Sequence, residues 1–425
     1  MTPERVLRTY IKLVVVSTGA SSMIWGINTL FLLDAGLSIG QAFAANAFFT
    51  AGMVLFEIPT GVVADTIGRR TSYLLGTVTL IASTVLYLLL WQTRAPFAAW
   101  AVVSALLGLG FTFFSGATEA WLVDGLHATG YRGSLDEAFA KGQVAGGIAM
   151  MAGSIGGGLL AQVTNLGVPY VARAVLLVIT FAVAWRAMHD IGFTPKPRVS
   201  VRAEMGGILR ASLRHGLLNP SVRWVMLAGP FTAGASVYGF YAAQPYLLQL
   251  CGHADSYAIA GLSAGIVAGA QIAGGASASY IARIFRDRIL TLVVAIATSG
   301  AVIALIGLVT SFWAALGLLM VWGTMFAAMS PVRQAYLNSH IPSAQRATVL
   351  SSDNLLGSAG GVVIQPALGR AADVWGYGPA YLLTAVIQLF ALPFLALEIR
   401  RGRKHSGPAA DGNHAAVTFQ GAASS

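Results

Sequence analysis

The stretch Gly61-Val62-Val63-Ala64-Asp65-Thr66-Ile67-Gly68-Arg69-Arg70 joins two apolar runs, residues 40–62 and 71–91. Each run can cross a bilayer as a helix, since about 20 residues span a hydrocarbon core ~30 Å thick. The connection is therefore a tight reversal, and it carries an acid, two glycines and two adjacent arginines. Gly61 lets helices approach closely, and Gly68 allows the backbone path of a short turn. Asp65 can accept hydrogen bonds from N–H groups at a helix start or pair with an arginine. Arg69 and Arg70 belong with water and anionic headgroups. A merely polar, basic loop is the simpler alternative, and the chain around it decides between the two.

That chain has 425 residues, of which 56% are hydrophobic and 10% charged. A soluble protein of this size carries roughly a quarter charged residues. Here the charges cluster between apolar stretches, which defines an all-α polytopic protein whose main partner is the lipid bilayer. The net charge of +10 does not mark nucleic acid. With twelve spans and a cytoplasmic N-terminus, the basic residues fall on one side: Arg5, Arg8 and Lys12, then Arg69 and Arg70, Arg132 and Lys141, Arg283 to Arg288, Arg346, and Arg400 to Lys404. The opposite loops keep little beyond Arg94. This positive-inside asymmetry predicts a multi-pass plasma (inner) membrane protein with both termini cytoplasmic. The first apolar run is too long for a signal-peptide core and is expected to stay as the first span.

The single cysteine, Cys251, excludes an internal disulfide and any cysteine-based cluster. The seven histidines lie in loops or tails, without metal-ligand spacing. The Gly-rich runs lie inside spans rather than after a strand, so they are not phosphate cradles. No cofactor, metal or catalytic constellation is expected, and the protein is not read as an enzyme.

Spans are predicted at residues 11–33, 40–62, 71–91, 97–122, 140–162, 168–188, 221–249, 257–281, 289–310, 312–336, 350–372 and 378–398. They divide the chain into a first six-helix bundle (1–188), a cytoplasmic linker (189–220), a second bundle (221–399) and a disordered cytoplasmic tail (400–425). The linker holds Pro195, Pro197 and Pro220, with a short amphipathic helix expected near 200–215. The halves read as copies. Ser115-Gly-Ala-Thr-Glu119-Ala-Trp-Leu122 aligns with Ser330-Pro-Val-Arg-Gln334-Ala-Tyr-Leu337 at an offset of 215. At nearly that offset Arg132 falls near Arg346, Gly146-Gly147 matches Gly360-Gly361, and Gly167-Val-Pro169-Tyr170 resembles Gly376-Tyr-Gly-Pro379-Ala-Tyr381. Two parallel-related six-helix halves are a transporter architecture.

The spacing Gly-x-x-x-Asp-x-x-Gly-Arg-Arg, with its lead-in Glu57-Ile58-Pro59-Thr60, resembles the loop between the second and third helices of the major facilitator superfamily of secondary transporters. The resemblance covers residues 5–400 and points toward its drug/proton-antiporter-like efflux members. It implies two pseudo-symmetric bundles that rock about a central site. It also implies that Gly61, Asp65, Gly68, Arg69 and Arg70 hold a cytoplasmic gate against the start of the eleventh helix, at Ser351, Ser352 and Asp353. The matching segment of the second half, Tyr280 to Arg288, keeps arginines but loses the Gly/Asp pattern. The run from Gly146 to Gly158 offers a small-residue face for close helix contact. It resembles the antiporter-associated Gly-Pro-x-x-Gly-Gly motif, with Ser154 in place of the proline. The arginine that drug–proton antiporters often carry in the fourth span would correspond to Ser104. A coupled proton therefore falls to a carboxylate.

Ionisable groups at membrane depth are costly and usually face a cavity or a partner. Glu119 is the first candidate for a protonatable group, followed by Glu57, Asp124 and Asp353. Glu119 and Arg333 could meet near the axis between the halves, either as a working pair or as a static one that holds helices together. For Glu57 a structural or gating contact is the stronger reading. Arg173 and Arg370 lie near outer helix ends, where they can snorkel. The substrate-lining candidates are Trp25, Asn28, Gln143, Tyr238, Tyr241, Gln244, Gln271, Trp322, Arg333, Asn354 and Gln365, although aromatics in such helices often only pack. The expected function is proton-coupled efflux of small amphipathic or drug-like compounds by a monomer. The alternatives are an uptake symporter or facilitator for a specific metabolite, and a non-transporting sensor of the same fold.

Overall fold

A computed structural model describes residues 1–114, 116–195, 206–207, 210, 213–253, 255–284, 287–341 and 346–405. The first span is two helices, α1 (Pro3–Ser22) and α2 (Asn28–Asp34), separated by non-helical turns at 23–27. Then come α3 (Ile39–Thr66) and α4 (Arg69–Thr93). The fourth span is again broken, into α5 (Phe97–Thr112) and α6 (Ala117–Ala128), with Gly116 in the left-handed region at φ +68°. The half closes with α7 (Leu135–Val163) and α8 (Val168–Ala187). The second half runs α9 (Arg223–Cys251), α10 (Tyr257–Ile284), α11 (Arg288–Leu308), α12 (Phe312–His340) and α13 (Arg346–Trp375). Its last span is α14 (Tyr377–Leu389) followed by α15 (Ala391–His405).

The twelve spans fall where the apolar runs predict, with two systematic differences. Many helices extend several residues beyond the apolar stretch, because capping does not require hydrophobicity: Thr2 caps α1, Ser38 and Gln41 form a capping box on α3, and Ser134 caps α7. The first, fourth and twelfth spans are each interrupted. Among the described residues, nine stretches, the interrupted fourth and twelfth spans taken whole among them, are long and apolar enough to cross a membrane. The other three spans are the broken first span, α9 and α13, which supply much of the polar lining described below. The expected linker helix lies mostly outside the described residues; of those described, Gly206, Gly207 and Arg210 are helical, and Leu213–Leu217 form a π-helical turn. Of the expected tail, 400–405 continue α15, and 406–425 lie outside the described residues.

Each half has its own apolar core. In the first, Phe31, Tyr87, Trp100 and Tyr170 pack together, and in the second Tyr238, Tyr246, Trp322 and Tyr381 do so. The halves meet along two extended helix pairs, α3 with α13 and α7 with α10. The glycine-rich α7 has the close contacts its sequence implies: a Cβ on Gly158 would lie 2.6 Å from the Cα of Gly261 on α10. Outside the bundle, Val102, Trp313 and Val363 are each at least 70% exposed, as lipid-facing side chains should be. The end that holds Pro3 and His405 is termed the termini end below, and the opposite end the far end.

Candidate functional site

At the far end, side chains of one half bond to the backbone of the other. Gln244 of α9 grips the break in the first span: its Oε1 accepts from the Thr29 N–H (2.9 Å) and its Nε2 donates to the Trp25 carbonyl (2.6 Å). Thr29 Oγ1 donates to the Tyr241 carbonyl at 3.1 Å. Asp373, at the end of α13, caps the start of α3 by accepting from the Ile39 (2.8 Å) and Gly40 (2.9 Å) N–H groups and from Ser38 Oγ (3.1 Å). Gln162, at the end of α7, accepts from the Ala258 N–H in the first turn of α10 at 3.2 Å. Helix starts leave their N–H groups without intrahelical partners, so a polar side chain placed there is held firmly.

Toward the termini end the halves enclose two cavities. One of about 490 Å³ lies in the first half, lined by Tyr10, Ser17, Tyr73, Phe111, Thr118, Glu119, Gln143 and Met150, with Ile272 from α10. Glu119 is exposed within it and has no cation within salt-bridge reach among the described residues. The other cavity, about 360 Å³, lies mainly in the second half and is lined by Thr232, Phe326, Ser330, Arg333, Gln334, Asp353 and Asn354, with Thr50 from α3. Its charges are neutralised locally: Arg333 Nε donates to Asp353 Oδ2 at 2.9 Å, and its terminal nitrogen meets Oδ1 at 2.5 Å.

The 61–70 stretch lies at the termini end, with Gly68 at φ +126°. Arg69 pairs with Asp65 (2.5 Å) and approaches Asp124 (3.9 Å). The Arg70 N–H donates to Asp190 at 2.9 Å, and its guanidinium donates to the Trp185 carbonyl at 2.7 Å while lying over the indole. These contacts of the arginines run to the second span, the fourth and sixth spans and the segment after the sixth. The acid at the start of α13, Asp353, is held by Arg333.

Of the residues expected to line a site, Gln143, Arg333 and Asn354 face the cavities. Gln244 and the backbone of Trp25 and Tyr241 instead join the halves at the far end. Asn28 is buried, accepts from Tyr170 Oη (3.0 Å) and donates to Asn46 (3.2 Å). Tyr238, Trp322 and Gln365 are buried too, with the Tyr238 ring tilted against Phe43 and Gln365 donating to Thr50 at 3.4 Å. Gln271 is half-buried on α10 beside Gly323 of α12, and Glu57 is half-buried on α3. The expected meeting of Glu119 with Arg333 is not formed, because each lines a different cavity and Arg333 is taken by Asp353. Arg173 does not snorkel: it is 1% exposed, inside the first half, because α8 turns that face toward α1 and α4.

A family model described as Major Facilitator Superfamily matches residues 13–364. The chain belongs to that superfamily and is a non-enzymatic, multi-pass membrane transporter. Among solved structures, the nucleoside transporter NupG superposes with a TM-score of 0.73 at 10% identity, over 92% of this chain and 98% of that one. A bacterial homolog of the human lysosomal transporter Spinster, in an inward-facing and unoccupied conformation, gives 0.72 at 16% identity, over 95% and 98% of the two chains. The POT family transporter PepTSo gives 0.70 at 13% identity, over 95% and 99%. Identities this low establish the shared fold. No curated protein matches by sequence.

Proposed function

We propose that this protein is a proton-coupled exporter of small amphipathic organic compounds, acting as a monomer in the plasma membrane with both termini cytoplasmic. The observation that carries the reading is Glu119: a carboxylate in a membrane protein, open to a cavity of about 490 Å³, with no cation paired to it among the described residues. A carboxylate so placed can hold a proton or a cationic cargo group but not both. That competition is the minimum requirement for exchange, and an inward proton gradient then drives cargo outward. The basic residues on the termini side support a cytoplasmic assignment for that end. The conformation described here is then cytoplasm-open, with the far end as the closed external gate. Residues 1–188 and 221–399 would move as the two rocking units, joined by 189–220.

The test uses protein in liposomes with an internal pH dye and a panel of lipophilic amines under an imposed pH gradient. Amine-dependent proton movement is expected in the wild type and should vanish in Glu119→Gln. Amine flux without proton movement in either protein would leave a facilitator. Proton movement unaffected by Glu119→Gln would transfer the coupling role to Glu57, Asp124 or Asp353. Binding without any flux would identify a sensor.

A further inference from the structure

Arg173 is buried among neutral groups. Its Nε donates to Thr84 Oγ1 at 3.1 Å, and one terminal nitrogen makes a long 3.4 Å contact to the Ser21 carbonyl at the end of α1. The other terminal nitrogen has no hydrogen-bond partner among the described residues. The titratable side chains acting on it are the hydroxyls of Tyr87, Tyr170 and Tyr241; no carboxylate pairs with it among the described residues. A guanidinium at membrane depth without a counter-charge is strongly unfavourable, and such groups are usually kept to bind something. The Arg173 guanidinium lies 5.8 Å from the centre of the Phe111 ring. Phe111 also lines the cavity that holds Glu119. One aromatic ring therefore stands between an uncompensated cation and the cavity.

We propose that Arg173 anchors a carboxylate of the cargo, reached from the first-half cavity when the Phe111 side chain turns aside. This rests on the reading of Glu119 as the site that a cargo ammonium shares with the proton. Together the two groups select an amphipathic zwitterion. Phe111 and Glu119 are eight positions apart, roughly 12 Å at the rise of a helix. The interruption between α5 and α6 shortens or bends that path. Arg173 lies beyond that ring as seen from Glu119, so cargo charges at least roughly 10 Å apart fit the pair, which favours an ω-amino acid or a short peptide over an α-amino acid.

The experiment measures binding to the full-length protein in detergent with three matched probes: 8-aminooctanoate, octylamine and octanoate. Wild type is expected to bind 8-aminooctanoate at least tenfold more tightly than either single-charge probe. Arg173→Met should erase the advantage over octylamine, and Glu119→Gln the advantage over octanoate. The Arg173→Met protein should melt no lower than wild type, since the substitution removes a buried charge that lacks a partner. Phe111→Ala should speed 8-aminooctanoate association. A purely structural Arg173 would give a lower melting temperature and equal losses for all three probes in Arg173→Met, and that result overturns the proposal. So would a wild type that binds octylamine as tightly as 8-aminooctanoate, or an association rate indifferent to Phe111→Ala. Because binding is read without flux, a failed proton-coupling assay beside an intact probe ratio would refute the coupling and leave the anchor standing.

Discussion

The two ends of the molecule use polar side chains in opposite ways. At the far end, Gln162, Gln244 and Asp373 each leave their own half and bond to backbone N–H groups at a helix start or break in the other. At the termini end, Arg69, Arg70 and Arg333 bond within their own halves or to the segment just after the sixth span, and none of these bonds joins the two halves. An end that opens must not strand charges, because an unpaired buried ion costs several kcal/mol. The internal pairs Asp65–Arg69 and Arg333–Asp353 allow the termini end to stand open with its charges satisfied. The far-end contacts form only when two helices arrive in register, so closure there is geometrically selective.

The contrast can be broken most severely at Arg333. Arg333→Ala leaves Asp353, a side chain 9% exposed, without its partner. A loss of about 3–5 kcal/mol is expected, the range for breaking a buried pair on one side. Thermal unfolding in detergent reads this directly. Adding Asp353→Ala should recover most of the loss, because the stranded charge is then gone. A double variant no better than Arg333→Ala would mean that packing, not charge, sets the effect.

Gly158→Val attacks the far end through volume. Its Cβ would lie 2.6 Å from the Gly261 backbone, and backbone cannot yield as a side-chain tip can. Overpacking of this kind costs about 1–3 kcal/mol. Here the strain can be relieved by parting the halves, so the expected result is a shift toward far-end-open molecules. Spin labels on the native Cys251 and on a cysteine introduced at Ala95 should report a longer mean distance. An unchanged distance together with a lowered melting temperature would show that α7 and α10 are not a moving interface.

Asp373→Ala removes a carboxylate cap from the Ile39 and Gly40 N–H groups. Cap deletions cost about 0.5–2 kcal/mol, which corresponds to a shift in far-end opening of roughly 2- to 30-fold through the factor of ten per 1.4 kcal/mol. The same label pair measures it. Asp373→Asn should lie between wild type and alanine, since it keeps an acceptor but loses the charge that the helix dipole favours.

How much of this is legible in the sequence follows from what hydropathy can encode. The spans are readable because apolarity accumulates over twenty or so residues. The breaks at 23–27 and between α5 and α6 are not, although Gly26 and Gly116 stand at them, because glycines are scattered through the spans and few mark a break. Glu119, Gln143, Arg333 and Asn354 stand out as rare polar groups inside apolar runs, and they do line the cavities. Tyr238, Trp322 and Gln365 stand out for the same reason but face cores. A helix apolar on every side gives little periodicity from which to tell a cavity face from a packed one. The snorkelling expectation for Arg173 fails because distance from a helix end says nothing about which way the side chain turns. Asp373 and Gln162 attract no notice because polar residues at helix ends are ordinary. A usable signal exists: they are 211 residues apart, between the offsets relating Gly147 to Gly361 and Gly167 to Gly376.

That equivalence makes the smallest effect the sharpest test. Gln162 on α7 caps α10 of the other half, and Asp373 on α13 caps α3 of the other half, so the two contacts are related by the internal duplication. They differ in charge and in number of bonds: Gln162 accepts one N–H at 3.2 Å, and Asp373 accepts two N–H groups and a hydroxyl. A single neutral hydrogen bond contributes about 0.5–1.5 kcal/mol, so Gln162→Ala should open the far end less than Asp373→Ala does. If the halves part as rigid units, the same opening breaks both caps. The double variant should then show the sum of the two shifts, as independent sites do, and label pairs on the α7–α10 side and on the α3–α13 side should lengthen together. If one side lengthens without the other, the far end opens by hinging one helix pair, and the symmetric rocking of the two halves is the wrong description.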